Sequence, residues 1–303
     1  MKRLIYILIF FSPWTYGQEL FPNTEPASTI PAGVFGKRYS FQGYNAGNQQ
    51  RQWHAARLMY GVNSKLTVIG SLIASNHHLR EIPPNVTTVI FNHNAVSNSE
   101  LFPMAFKGGH LYAKYRFLSL DGPNRHLRMA IYGEASKTDA LHFEAEPNLM
   151  GYNSGLGGGV ISTFLYKKLA LSTTGGFINP ARIQNKTEDI RMRSGNGMLL
   201  DISAGYLLFP GKYKSYKDLN INLYGELLNR FYGSADLNIN SLYKDPGFFP
   251  ALQSGRYSEF RGSVQFIIHS NTRLDLSIGI PVYSTYAMKA YPLYALSIQQ
   301  YLF

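Results

Sequence analysis

The chain contains no cysteine, which excludes both a disulfide framework and a lipid-modified N-terminal cysteine. Charged residues are scarce at 16%, so no long solvated charge run marks a disordered tail. After residue 17 no stretch is apolar for the roughly 20 residues that a membrane-spanning helix needs. Entry into a membrane would therefore require a closed barrel, the strand architecture that leaves no backbone N–H or C=O unpaired in lipid. Pro/Ser-rich linkers and low-complexity tracts are also missing, so residues 18–303 read as one domain. What the chain has in quantity is alternation.

At the N-terminus, Met1-Lys2-Arg3 precedes an apolar run from Leu4 to Phe11, followed by Ser12-Pro13-Trp14 and the ending Thr15-Tyr16-Gly17. That order of basic, apolar and small segments predicts a signal peptide over 1–17, cleaved before Gln18, and hence export. Loss of Lys2 and Arg3 lowers the formal charge from +11 to +9. For an exported chain this basic balance points to lipid headgroups or anionic solutes as partners, and away from nucleic acid.

The stretch from Arg273 to Val282, RLDLSIGIPV, places an aliphatic residue at every second position with Arg, Asp, Ser or Gly between. This is the period of a strand with one apolar and one polar face. The same period recurs near 33–41, 53–61, 65–74, 109–119, 126–136, 155–166, 169–178, 198–209, 219–230, 260–269, 273–282 and 293–303, giving about twelve strands. Connections are expected to be short after the even-numbered strands and longer after the odd-numbered ones. Short periplasmic turns, long outer loops and an even strand count are the pattern of outer-membrane barrels. A soluble β-sandwich would also alternate, but it would not predict that asymmetry or a charged core.

Sorting by face sharpens the expectation. One side carries Leu111, Ala113, Tyr115 and Phe117, then Leu127, Met129 and Ile131, then Leu200, Ile202, Ala204, Tyr206 and Leu208, with similar sets on later strands. The other carries Lys114, Arg116, Arg128, Glu134, Asp201, Glu226, Arg261, Arg273 and Asp275. In a lipid-exposed barrel the second set faces the lumen, since an Arg or Lys on the lipid face near the midplane costs about 2–4 kcal/mol. Tyr115, Phe117, Tyr206, Phe209 and Phe266 fall towards strand ends, as an aromatic girdle would.

The chain ends Tyr301-Leu302-Phe303, which resembles the terminal signal read by the barrel-assembly machinery, with Phe303 as its last residue and Gln299 and Ser297 departing from it. Ala27-Ser28-Thr29-Ile30-Pro31-Ala32-Gly33, Leu111-Tyr112-Ala113-Lys114-Tyr115-Arg116-Phe117 and the hairpin from Ala204 to Leu227 resemble outer-membrane β-barrel proteins of Bacteroidota. That group is similar in architecture to porin-like, putative transporter barrels of the phenol-degradation type. The resemblance implies an all-β, transmembrane, antiparallel up-and-down barrel in the cell outer membrane of a Gram-negative organism, without naming a solute.

Catalytic chemistry finds little purchase. Gly155-Leu156-Gly157-Gly158-Gly159 has the look of a nucleotide loop, but it opens a strand with no helix behind it; close packing in a barrel wall explains it better. His77, His78 and His93 share a loop without metal-ligand spacing and read as solvent-exposed. Ser270 beside His269 would point to the opposite face, and Glu144 and Glu146 read as hydrated loop residues. No cofactor, metal or catalytic motif is expected, and the chain reads as a non-enzyme. Lys114, Arg116, Arg128 and Arg273 are expected to cluster at the periplasmic mouth with Asp275, and Glu134, Asp201, Glu226 and Arg261 deeper. Two arrangements fit: an anion-favouring constriction, or a salt-bridged filling that closes the barrel. The corresponding functions are a passive channel or transporter for small solutes, anionic or aromatic ones included, and a closed scaffold whose loops 75–103 and 231–254 contact partners.

Overall fold

In the computed structural model, residues 20–46, 49–78, 102–139, 142–185, 189–212, 215, 217–285 and 292–302 are described. Twelve strands form the wall: β1 Phe35–Ala46, β2 Gln49–Gly61, β3 Leu66–Ser75, β4 Ala105–Gly122, β5 Arg125–Thr138, β6 Gly155–Tyr166, β7 Leu169–Pro180, β10 Gly197–Phe209, β11 Asn220–Tyr232, β14 Gly255–Ile268, β15 Thr272–Ser284 and β16 Leu293–Leu302. Each pairs antiparallel with its neighbour and β1 closes on β16, so the sheet has no free edge. All twelve expected strands are present, and the chain is a closed all-β barrel.

The polarity is inverted relative to a water-soluble protein. Leu58, Leu72, Leu111, Ile278 and Val282 are each more than 60% exposed on the outside, while Lys114, Glu226 and Gln265 are fully buried inside. Burying a Leu or Ile side chain is worth about 1.5–3 kcal/mol, so an outer wall of this kind is stable against hydrocarbon and unstable against water. Tyr115, Phe117, Tyr206 and Phe209 all face outward.

The first outer connection departs from expectation. Residues 41–53 do not form a long loop, because β1 and β2 pair out to Ala46 and Gln49. Gln42, Asn45, Gln49, Gln50 and Gln52 are polar on both faces there, so the alternation fades while the backbone ladder continues. The segment 231–254 is also no bare loop. It contributes β12 Asp236–Ile239 and β13 Leu242–Lys244, which join β8 Ile183–Asn185 and β9 Ile190–Arg193 in a separate four-stranded sheet. That sheet sits on an apolar cluster including Phe102, Phe143, Met192, Leu237 and Leu252 at the long-loop end. Most of 75–103, with His93, lies outside the described residues, as do the predicted signal peptide 1–17 and Phe303.

Candidate functional site

The lumen has two storeys. On the short-turn side, residues 20–34 leave the wall and thread into the barrel as irregular backbone, with Phe21, Ala27, Ile30 and Val34 buried. Irregular backbone at membrane depth is tolerated only when protein satisfies its polar groups. Pro22, Pro26 and Pro31 carry no N–H to satisfy, and wall side chains serve several of the groups that remain. Ala27 N donates to Thr163 Oγ1 and Ile30 N to Thr67 Oγ1, both at 2.9 Å. The carbonyls of Phe21, Pro22 and Pro26 accept from Arg273 at 3.0 Å, Arg38 at 2.7 Å and Lys114 at 2.7 Å. Asn23 donates through its backbone and side chain to Glu226 and through its side chain to Ser263, and Thr24 donates to Glu226 at 2.9 Å.

Charges below and around the segment are paired across strands. Asp275 accepts from Arg273 on its own strand at 2.7 Å and from Ser297 on β16 at 2.7 Å, Gln265 on β14 at 3.1 Å and Arg38 on β1 at 3.5 Å. Glu25, on the segment, lies 3.3 Å from both Lys114 and Arg57. Burial opposes its charge, but Lys114, Arg57 and Arg38 together hold its carboxyl below the usual carboxylate value.

Above Asn23, Thr24 and Glu25 lies a chamber of about 320 Å³. Trp53, Tyr112, Tyr132, Tyr152 and Tyr257 supply aromatic surface, and Arg51, Arg57, Arg230 and Arg261 its guanidinium groups. Arg230 pairs with Asp201, and Arg261 pairs with Glu259 and also donates to Asn23 Oδ1 at 3.0 Å. Tyr112 and Tyr132 stack with centroids 5.1 Å apart. They lie close to the wall because glycine leaves room: a Cβ on Gly159 would stand 2.8 Å from the Tyr132 ring, and one on Gly157 2.6 Å from Glu134 Oε1. The 155–159 glycines are thus packing residues. Residues 144–152 fold inward as part of the upper wall, held by Trp53 Nε1 donating to Met150 O at 2.9 Å and Ala145 N donating to Ala251 O at 2.8 Å.

Comparison with solved structures gives the architecture a name. The chain is similar to an outer-membrane channel from Pseudomonas putida F1, with a TM-score of 0.57 at 13% identity over 94% of this chain and 100% of that one. The fold is that of an outer-membrane β-barrel. Weaker likenesses are to the transport unit of the autotransporter AIDA-I from Escherichia coli (TM-score 0.44, 10% identity, 94% of this chain and 93% of that one) and to the CymD monoaromatic hydrocarbon channel (0.35, 9%, 90% and 88%). No known family profile matches the chain. No curated protein matches it in sequence.

The nine candidate residues do not form one ring. Lys114 holds the inserted segment, and Glu226, Arg261 and Arg273 hold it from the other side, while Asp275 pairs with Arg38 and Arg273, the two arginines that bond the carbonyls of Pro22 and Phe21. Arg116 donates to Ser64 O at 2.7 Å and Arg128 lies 3.5 Å from Asp121, both in exposed settings on the short-turn rim. They are therefore apart from Lys114 and Arg273. Glu134 and Asp201 line the chamber, Glu134 accepting from or donating to His110 Nε2 at 2.8 Å according to tautomer and protonation. Sequence reasoning missed the segment itself, along with Glu25, Arg38, Arg57, Arg230, Glu259 and the aromatic lining. It also misplaced the loop groups: Glu146 is buried on the chamber wall, and His78 is buried against His142 and Tyr152 instead of facing solvent. The inward small residues Thr67, Thr163, Ser203, Ser263 and Ser277 were the available signal, since a twelve-stranded wall lined by short side chains leaves a space that something must fill.

Proposed function

We propose that this chain resides in the outer membrane as a non-enzymatic, porin-like channel or transporter of the Bacteroidota phenol-degradation type. Small solutes would occupy the chamber, and residues 20–34 would close its short-turn side. The observation that carries this reading is how the segment is held. The described links of residues 20–32 to the wall run through side chains of the wall or the segment, and backbone bonds to Gly61 begin only at Gly33 and Val34, next to β1, so 20–32 can withdraw without breaking any strand pairing. The aromatic lining suits ring-bearing solutes. An anion would meet arginines that already have carboxylate partners: Arg57 with Glu25, Arg230 with Asp201, Arg261 with Glu259.

The test is conductance in planar bilayers and swelling of liposomes carrying the full chain. Asn23→Ala combined with Thr24→Ala removes the two side-chain bonds to Glu226 and is expected to raise conductance and swelling over the parent chain. Absence of current and of swelling in both forms overturns the channel. Arg116→Ala with Arg128→Ala is expected to leave current and ion selectivity unchanged, because both lie outside the chamber.

The competing reading, a closed barrel with a surface-interaction role, has one observation in its favour. Leu242, Tyr243 and Phe248 stand 64%, 61% and 77% exposed on the 231–254 connection, an apolar group that wall packing does not explain. Solute-dependent swelling favours the channel; its absence in a folded barrel favours the scaffold.

A further inference from the structure

Three of the four guanidinium groups on the chamber lining are matched by carboxylates: Arg57 by Glu25, Arg230 by Asp201 and Arg261 by Glu259. Arg51 is the exception. It is 2% exposed, and among the described residues its contacts are with neutral groups: it donates to Asn76 O at 3.3 Å, and its guanidinium carbon lies 3.8 Å from the Phe102 ring centroid. The ionisable group near enough to act on it electrostatically is the Tyr44 phenol, and among the described residues no carboxylate does so. A guanidinium carries five N–H donors in a planar fork, and a buried charge is normally paired, because burial strips its hydration. One carbonyl and one ring face leave most of that fork to an occupant of the chamber.

The register of the first hairpin decides what surrounds Arg51. Arg51 and Trp53 lie two residues apart on β2 and so share a face, and across the ladder Tyr44 stands opposite Arg51 and Gln42 opposite Trp53. All four line the chamber, as do His77 and Tyr152. The rings of His77 and Tyr152 stack with centroids 5.1 Å apart, and Tyr44 meets His77 edge-on at 5.5 Å. Asn76, whose carbonyl takes Arg51, is itself fixed to β2: Gln52 N donates to Asn76 Oδ1 at 2.6 Å, and Asn76 Nδ2 donates to Gln50 O at 2.9 Å. A held cation without a counter-charge thus shares one end of the chamber with a group of aromatic rings. The cavity volume lies at the lower end of the roughly 300–1,000 Å³ range of small-molecule pockets, which suits a single-ring molecule.

Taken together, we infer that the Arg51 end of the chamber binds the carboxylate of a small aromatic acid. The carboxylate accepts charge-assisted hydrogen bonds from the guanidinium fork and supplies the counter-charge that the wall does not, while the ring lies against Trp53, Tyr152 and His77. An aryl-ammonium ligand would bring a second cation to Arg51. A neutral ring would gain the aromatic contacts alone and leave the guanidinium without a counter-charge. This assignment rests on the channel reading for its biological setting, but the binding can be measured apart from transport.

Trp53 shares the sequence with one other tryptophan, Trp14, so the fluorescence of a detergent-solubilised Trp14→Phe chain reports this end of the chamber. Titration with benzoate, benzyl alcohol and benzylammonium at pH 7 compares anion, neutral and cation on one ring. Benzoate is expected to bind about 10- to 100-fold tighter than benzyl alcohol, the range of a hydrogen bond to a charged group, and benzylammonium weaker than either. Arg51→Gln is expected to abolish the preference for benzoate while leaving alcohol binding in place. Arg51→Lys, which keeps the charge and loses the fork, is expected to retain part of it. Each variant is checked as a folded barrel by heat-modifiable gel mobility. Equal binding of benzoate and the alcohol, benzylammonium binding as tightly as benzoate, or a preference undiminished in folded Arg51→Gln or Arg51→Lys overturns the inference. If none of the three ligands binds while proteoliposomes still swell, the carboxylate site falls and the channel stands. Benzoate binding without swelling supports the site and removes the channel.

Discussion

The lower and upper halves of the lumen are made by the same twelve strands, with the same inward polar face, yet one is filled and the other is hollow. Below, Thr67, Thr163, Ser203, Ser263 and Ser277 leave room for an irregular segment, whose backbone the two threonines bond and whose Asn23 and Thr24 side chains the serines meet, while Arg38, Lys114, Glu226 and Arg273 anchor it. Above, aromatic and charged side chains line the chamber and meet one another. Alternation decides only which residues point inward. Whether the inward groups find their partners on an inserted segment or on one another decides whether the interior closes on a plug or surrounds a cavity. Substitutions in the lower storey should therefore act on the stability of the closure, and those in the upper storey on occupancy.

The largest effect on that division is expected from Lys114→Met. Lys114 is fully buried and is held by Pro26 O and Glu25. Its loss leaves a buried carbonyl without its ammonium donor and Glu25 with one cation fewer, and breaking a buried pair typically costs about 3–5 kcal/mol. Protease cleavage within 20–34 should become much faster while the barrel stays folded in detergent. Equal loss of barrel stability would mean that the segment and the wall fold as one unit and that the two-storey division is wrong.

Gly61→Ala comes next. A Cβ at Gly61 would overlap the Pro31 carbonyl oxygen where the segment turns into β1, and Gly33 N already donates to Gly61 O there at 2.8 Å. Overpacking of this kind costs about 1–3 kcal/mol, here relieved by moving the segment. The expected outcome is a rise in open-channel current, with unfolding of the wall in urea little changed.

Acid gives a smaller, graded version of the same test. The folded-state carboxyl of Glu25 titrates below its ordinary value, so its contribution to docking is complete above the unfolded value, about 4.3, and is lost as pH falls through the lower, folded one. The Glu25 contribution should therefore be constant from pH 8 to 5 and fade only below about pH 4, read as the difference in current against pH between the parent chain and Glu25→Gln. In Lys114→Met the onset should move to higher pH, because one of the charges that depress the carboxyl is gone.

These two storeys were unequally legible in the sequence. The strands were readable because the lipid face demands an apolar residue at every second position, and a single misplaced charge there is expensive. The inward orientation of Lys114, Glu134, Asp201, Glu226, Arg261, Arg273 and Asp275 followed from the same rule. What occupied the centre did not. Residues 20–34 have no period, their prolines belong to neither strand nor helix, and their partners lie as far as 254 positions away, as between Asn23 and Ser277. Ring clustering at the mouth failed for Arg116 and Arg128 because β4 and β5 run beyond the wall as a long hairpin to Gly122 and Arg125, which carries both side chains to an exposed rim. The small outer sheet was hidden for a different reason: β8, β9, β12 and β13 are three or four residues long, too short for alternation to rise above chance.

The mildest substitution separates the storeys most cleanly. Trp53→Phe keeps an aromatic ring on the chamber wall and removes the indole N–H that donates to Met150 O. A single hydrogen bond of this sort contributes about 0.5–1.5 kcal/mol, and the carbonyl it leaves belongs to the inward-folded stretch 144–152, away from residues 20–34. Hydrogen exchange should accelerate in 144–152 and stay unchanged in the segment. If exchange in 20–34 also accelerates, the roof and the plug are coupled through the chamber, and a bound solute that orders one would tighten the other.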